Sequence, residues 1–146
     1  MIKDQIIKKV LSAQEEKGNS YYFNLMAYII RNFDDVSPSD LTQLVKCLNF
    51  QVRLAISVNP KTPVEALDIL KVDTRCNIRL SIAQRKDTPS DILSFLSFDN
   101  TESVRLAVAE NKNTPNEVLD ILSKDTAWLV KETAIKNKNK RTPLLT

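Results

Sequence analysis

Apolar residues recur along this chain in short clusters with helical spacing, and the clusters themselves return at a fixed interval. The segment Val-Arg-Leu-Ala-Ile at Val52 returns as Ile-Arg-Leu-Ser-Ile at Ile78 and as Val-Arg-Leu-Ala-Val at Val104, with a weaker copy at Val130. Each copy begins 26 residues after the previous one. Because a period of roughly 20 to 50 residues is typical of repeat proteins, the pattern predicts a stack of similar units.

Thr-Pro pairs mark the second helix of each predicted unit and keep the same period. Threonine is favoured at the N-cap and proline is tolerated in the first helical turn, so each pair is expected to start a helix. An acid follows each threonine by three residues, which is the spacing of a capping box. The expected N-caps are Thr62, Thr88 and Thr114, and the expected capping-box acids are Glu65, Asp91 and Glu117. The segment Ser37-Pro38-Ser39-Asp40 has the same form and predicts a degenerate earlier unit.

Apolar residues behind each cap are spaced as one face of a helix, and we expect them to form the core. They are Leu41, Leu44, Val45 and Leu48; Ala66, Leu67, Ile69 and Leu70; Ile92, Leu93, Phe95 and Leu96; Val118, Leu119, Ile121 and Leu122. One helix pair cannot cover its own apolar faces, so neighbouring units are expected to stack into a continuous core. The sequence therefore predicts an all-α protein built as a solenoid of stacked helical pairs.

The predicted organisation is a single domain with three regions. Residues 1–48 are expected to form capping helices with one degenerate repeat, and residues 49–135 to form the clear repeats. Residues 136–146 are polar and basic, and we expect a flexible tail there.

Length and hydropathy are those of one globular domain. The chain has 146 residues, of which 42% are hydrophobic, and no apolar run approaches the roughly 18 residues that a membrane span needs. The first residues also lack the basic start and apolar middle of a signal peptide, so the expected location is the cytoplasm.

Few residue types that support catalysis or cofactor binding are present. The sequence has no histidine and a single glycine, which removes the commonest general base and the glycine-rich loops that hold phosphates. Its two cysteines, Cys47 and Cys76, are too few for a zinc or iron–sulfur motif. We therefore expect no enzyme activity, no metal and no cofactor.

One cation per repeat forms a second periodic feature. The cations are Arg53, Arg79, Arg105 and Lys131, and an aspartate precedes each of the last three by six residues, at Asp73, Asp99 and Asp125. Stacking would align the cations along one ridge, which could follow a phosphate backbone. Alternatively, the aspartates pair with the cations and the ridge is a structural ladder, which is the interpretation that the fixed offset favours.

Two further features are candidates for partner binding. The turns before the Thr-Pro pairs carry cations and would share one edge of the stack, either as a nucleic-acid contact or as a solvated surface. They are Lys61, Arg85, Lys86, Lys112, Lys138, Lys140 and Arg141. Trp128 is the sole tryptophan and lies three residues before Lys131, on the same side of its helix. It is either an interaction hot spot or a lid over the last apolar layer.

The third copy shows the most complete motif of the chain. It consists of Val104-Arg105-Leu106-Ala107-Val108-Ala109-Glu110-Asn111, then Thr114-Pro115, then Leu119 and Leu122 before Asp125. This pattern, which spans about residues 49–135, resembles the leucine-rich repeat variant family. The resemblance implies a right-handed α-solenoid, a bacterial source and an interaction role. The 26-residue period is slightly longer than that family's usual unit, which favours two full α-helices per repeat, as in HEAT repeats.

These observations predict a non-enzymatic scaffold that binds a protein or peptide. The residues expected to contact the partner are Trp128, Lys131, Arg105, Arg79 and Arg53. The alternative is a nucleic-acid-binding solenoid that uses the arginine ladder and the basic turns. The sequence indicates neither a small-molecule substrate nor a membrane partner.

Overall fold

The computed structural model describes residues 2–12, 20–32 and 36–141, and its regular secondary structure over these ranges is entirely helical. The helices are α1 (Ile2–Ser12), α2 (Ser20–Asn32), α3 (Pro38–Leu44), α4 (Phe50–Val58), α5 (Val64–Leu70), α6 (Cys76–Gln84), α7 (Ser90–Leu96), α8 (Glu102–Glu110), α9 (Asn116–Leu122) and α10 (Trp128–Arg141). The prediction of an all-α chain is confirmed for the described ranges. None of the described helices is both long and apolar enough to cross a bilayer.

From α4 to α9, helices of nine and seven residues alternate. The last helix is longer and continues to Arg141, so residues 136–141 are helical where we predicted a flexible tail. The rest of that predicted tail, residues 142–146, lies outside the described residues.

The chain divides into two compact units, residues 1–78 and 79–146. In the first unit α2 packs on α4, α1 contacts α2 and α3, and α3 and α5 contact α4 and each other. In the second unit α10 packs on α8 and α9, and α8 also contacts α7 and α9.

Each unit has its own apolar core. Large, fully buried side chains of the first unit include Met26, Ile30, Leu41, Leu44, Ile56, Leu67 and Leu70. Those of the second include Ile82, Ile92, Leu93 and Leu96. Four residues that we predicted as core are instead exposed, namely Leu48, Ile69, Phe95 and Ile121. The last three lie at equivalent positions of the seven-residue helices, where the apolar stripe is wider than the face that packs.

The predicted capping box forms at α3. The Ser37 hydroxyl accepts a hydrogen bond from the Asp40 amide at 3.2 Å, and the Asp40 carboxylate accepts one from the Ser37 amide at 2.9 Å. These bonds satisfy amides that have no partner inside the helix.

The Thr-Pro helices start differently, and the predicted caps are wrong there. The N-cap residues of α5, α7 and α9 are the prolines Pro63, Pro89 and Pro115, which have extended backbones and no side-chain cap hydrogen bond. The threonine hydroxyls point back to the preceding helix. Thr62 donates to the Ile56 carbonyl, Thr88 to the Ile82 carbonyl and Thr114 to the Val108 carbonyl, each at 2.6 Å. Glu65, Asp91 and Glu117 are exposed first-turn acids, which the helix dipole favours, and not members of capping boxes.

The reason lies in the second lone pair of these buried carbonyls. Each carbonyl accepts one hydrogen bond from a backbone amide three residues later, at Asn59, Arg85 or Asn111. The buried threonine hydroxyl supplies a second donor where water has no access. The threonines therefore join the end of the first helix of each pair to the start of the second.

Replacing Thr88 with valine removes the hydroxyl and keeps the shape. We expect Thr88→Val to lower the free energy of unfolding by about 1 kcal/mol, because a buried hydrogen bond is lost while the Ile82 carbonyl keeps its bond from the Arg85 amide. The matched control is Thr42→Val, whose hydroxyl bonds to the Pro38 carbonyl in an exposed position. Urea denaturation should show a change below about 0.5 kcal/mol for this control. Equal effects of the two substitutions would contradict the role assigned to Thr88.

Candidate functional site

The arginine ladder is built from paired charges. Each arginine donates two hydrogen bonds to the carboxylate of an aspartate that lies 20 residues later. The Nε–Oδ2 distances are 2.6 Å for Arg53–Asp73, 2.6 Å for Arg79–Asp99 and 2.7 Å for Arg105–Asp125. The arginine side chains are only 12% to 16% exposed. Such short, bidentate and largely buried contacts are the strong form of ion pair.

The same guanidinium groups also reach backward along the chain. Nη1 of Arg53 donates to the Cys47 carbonyl at 2.7 Å, and Nη1 of Arg105 donates to the Asp99 carbonyl at 2.9 Å. Each of these two arginines thus connects the segment before its own helix with the segment after the next helix. A partner's phosphate would have to displace these bonds.

The aspartates of the ladder have a second structural task. Asp73 accepts a hydrogen bond from the Arg75 amide at 2.9 Å, and Asp99 accepts one from the Thr101 amide at the same distance. Asp125 accepts one from the Ala127 amide at 2.8 Å. One carboxylate therefore holds an arginine and also shapes the turn into the following helix.

The ion pairs shift the ionisation of their members. The hydrogen bond from Arg105 lowers the pKa of Asp125 against the opposing effect of burial, and the same bond raises the pKa of Arg105. At Asp99 burial raises the pKa, but the hydrogen bonds from Arg79 and the Thr101 amide together lower it below its usual value. Both carboxylates are therefore ionised at neutral pH.

Asparagines form a further periodic contact that the sequence analysis missed. Asn111 donates to the carbonyls of Ala83 and Arg85, both at 2.7 Å, and Asn137 donates to the Ala109 carbonyl at 2.8 Å. Asn59 donates to the Ile30 carbonyl at 2.6 Å. The signal was available, because Asn59, Arg85, Asn111 and Asn137 are spaced by 26 residues. Because Arg85 replaces asparagine at the second of these positions, the periodic asparagines are not obvious in the sequence.

Hydrogen bonds link the segments that flank α7 and α9, both near the first residues and just after the last residues of the two helices. Near their first residues, the Asn113 side chain donates to the Lys86 carbonyl at 2.7 Å. Just after their last residues, Arg105 binds both the Asp99 carbonyl and the Asp125 carboxylate. The two seven-residue helices are thus joined at both ends, and the second unit has two edges defined by these ends.

One edge of the second unit carries exposed apolar side chains. We call it the aromatic edge and define it by Phe95, Phe98, Ile121, Trp128 and Leu129. Every one of these residues lies within four positions of Asp99 or Asp125, which Arg105 brings together. Phe98 and Trp128 are 72% and 71% exposed. Exposed aromatic residues of this kind mark protein-interaction surfaces.

The opposite edge of the second unit carries the cations that we predicted in turns, although Lys138, Lys140 and Arg141 lie at the end of α10 and not in a turn. We call it the basic edge and define it by Arg85, Lys86, Lys112, Lys138, Lys140 and Arg141. Several of these cations bind carboxylates or carbonyls of the chain itself. Arg85 binds Asp87 through two hydrogen bonds at 2.9 and 2.7 Å, and Lys138 pairs with Asp120. Arg141 donates to three backbone carbonyls, those of Thr114, Lys112 and Asn111. Lys86 and Lys112 are exposed and line a cleft between the two turns.

The last cation of the ladder differs from the others. Lys131 is exposed, and in the part of the chain that the structure describes no carboxylate forms a salt bridge with it. Trp128 lies one helical turn away at the start of α10. Of the five predicted partner-binding residues, only Trp128 and Lys131 are exposed, whereas Arg53, Arg79 and Arg105 are half-buried and paired with aspartates.

Within the described ranges, no group of three or more histidine, cysteine or acidic side chains is arranged to hold a metal ion. Cys47 is buried, and burial raises the pKa of its thiol, whereas Cys76 is exposed.

No protein-family model matches the chain, and no curated protein or solved structure matches it significantly. The resemblance to the leucine-rich repeat variant family therefore stays a prediction from the sequence.

Arg105→Ala is expected to lower the free energy of unfolding by roughly 2 to 4 kcal/mol, because it leaves Asp125 ionised and largely buried without its partner. Lys131→Ala is the matched control, since it removes the exposed cation at the equivalent position of α10. It should change the free energy by less than about 0.5 kcal/mol. Urea denaturation measures both. A fully stable Arg105→Ala protein would refute the structural ladder.

Acid should weaken the ladder. The pKa values of Asp99 and Asp125 are lower in the folded protein than the roughly 3.9 of an unfolded chain, so both carboxylates contribute stability at neutral pH. This contribution is complete above about pH 4 and is lost as the pH falls through the folded pKa values. We expect the free energy of unfolding, measured from pH 7 to pH 3, to be constant down to about pH 4 and to decrease at lower pH. Asp125→Asn should be less stable at pH 7 and show a shallower fall.

Proposed function

We propose that this chain is a non-enzymatic repeat scaffold of the cytoplasm that binds a protein or peptide. We further propose a right-handed α-solenoid with a period of 26 residues, similar to leucine-rich repeat variant and HEAT proteins and of bacterial origin. The recurrence of the arginine–aspartate pairs and of the threonine hydrogen bonds at this interval supports the repeat.

The observation that carries the proposal is the contrast between the ladder and the aromatic edge. The arginines that would serve a nucleic-acid ligand are paired and mostly buried. The residues that remain at the surface of the second unit near them are large and apolar, including two strongly exposed aromatic side chains. Aromatic anchors of this kind contribute most of the energy of protein interfaces, whereas phosphate binding needs exposed cations.

The basic edge keeps nucleic acid as the second candidate. Lys86 and Lys112 are exposed beside the same cleft, and they are one period apart. Glu110 also lines that cleft, and Asp87 already pairs with Arg85, so the edge is only partly available to an anion. This arrangement makes nucleic acid the weaker of the two candidates.

Affinity capture with matched variants tests the proposal. The full-length protein is immobilised and exposed to nuclease-treated lysate of the source organism, and retained proteins are identified by mass spectrometry. We expect a defined partner that Phe98→Ser/Trp128→Ser retains at least about tenfold less well, which corresponds to about 1.4 kcal/mol of binding free energy. The control is Lys86→Ser/Lys112→Ser on the basic edge, which should retain it as wild type does.

Three results would contradict the proposal. The partner could be held equally by the aromatic-edge variant, or retained only before nuclease treatment. Alternatively, only the basic-edge variant could lose it, with a steep decline of binding as salt rises, which is the behaviour of phosphate contacts.

A further inference from the structure

Helices α4 and α10 begin with the same kind of residue pair, but only the pair of α4 is contacted by another segment of the chain. Each has an aromatic residue at its first position and a cation at its fourth, Phe50 with Arg53 and Trp128 with Lys131. The corresponding first residues of α6 and α8 are Cys76 and Glu102, so the aromatic–cation pair is not a general feature of the repeat.

In the first unit this pair is covered by a short segment of the chain itself. The carboxylate of Asp73 accepts the hydrogen bonds of Arg53, and the guanidinium carbon of Arg75 lies 4.7 Å from the centre of the Phe50 ring. An acid and an arginine two residues apart thus contact both members of the pair. The Arg75 amide also donates to the Asp73 carboxylate, which holds this segment in a turn.

In the second unit the equivalent pair is exposed. Trp128 and Lys131 both lie at the surface, at the end of the aromatic edge. We propose that the first turn of α10 binds a partner segment of the form acid–any residue–arginine, with the carboxylate on the Lys131 ammonium and the guanidinium on the Trp128 ring. This inference rests on the proposed protein- or peptide-binding function and names the chemistry of its partner.

Charge complementarity explains why both groups are required. A lone cation approaching Trp128 would be repelled by Lys131 one turn away, and a carboxylate on Lys131 removes that repulsion. Tryptophan is also the best aromatic acceptor of a cation, better than the phenylalanine of α4. Leu129, which is exposed beside Trp128, adds apolar area to the same contact.

The occupant is a different polypeptide and not a second copy of this chain. In each copy the Asp73 side chain is only 5% exposed and holds Arg53, so it is committed within its own unit. A partner with an accessible segment of the same form has no such competing contact.

A fluorescence titration tests the inference, because Trp128 is the sole tryptophan and reports directly on the site. The probe is a synthetic peptide with the sequence of residues 63–75, which contains no tryptophan or tyrosine and ends in the Asp73–Arg75 segment. Added to the full-length protein, it should produce a saturable change in Trp128 emission. Asp73→Asn or Arg75→Ala in the peptide should each raise Kd at least about fivefold, or roughly 1 kcal/mol.

Protein variants provide the matched comparison. Lys131→Ala should raise Kd at least about fivefold, whereas Lys124→Ala removes another exposed lysine near the aromatic edge and should leave Kd within about twofold. Equal effects of the two substitutions, equal binding of all peptides, or no emission change at millimolar peptide would overturn the inference. So would an emission change that depends on protein concentration without peptide, since it identifies a second copy as the occupant.

The two proposals fail in different ways. If the peptide does not bind but Phe98→Ser/Trp128→Ser still loses its partner from lysate, the acid–arginine inference is wrong and the scaffold function stands. If the aromatic-edge variant retains every partner, the scaffold function as assigned to this edge is wrong.

Discussion

The rest of this protein depends on the hydrogen bonds of one guanidinium group, which binds a backbone carbonyl on one side and a carboxylate on the other. Arg105 contacts the end of the segment after α7 and the end of the segment after α9, so one side chain sets the distance between two helices. The aspartate that receives it also forms the turn into α10. Because both charges are largely removed from water, the pair tolerates loss of neither partner, and it leaves the arginine no capacity for a ligand.

The helices could be predicted from the sequence because their signals are local. Apolar spacing and the Thr-Pro pairs placed the starts of α5, α7 and α9 within a residue or two. The caps could not be predicted in the same way. The segment Thr88-Pro89-Ser90-Asp91 has the spacing of a capping box, yet the Thr88 hydroxyl donates to the buried Ile82 carbonyl of the preceding helix. Which of the two hydrogen bonds forms depends on the tertiary arrangement, which the local sequence does not contain.

The candidate site was predicted in part for a related reason. Periodicity identified the arginines and aspartates as one set, and the geometry adds that each pair spans 20 residues and is closed to a phosphate. Periodicity also misled, because Phe95 and Ile121 repeat like core residues but are exposed. A stripe of apolar residues shows that a face is apolar; it does not show whether the chain itself or a partner covers that face.

Constant offsets between donors and acceptors have a consequence for how such a chain changes in length. Each arginine finds its carboxylate 20 residues ahead, and each threonine finds its carbonyl six residues behind. Removing or duplicating a block of 26 residues would therefore join every donor to an acceptor of the same kind, whereas a block of 25 or 27 would mismatch the contacts that cross its ends. These hydrogen bonds therefore favour changes of chain length by whole multiples of 26 residues.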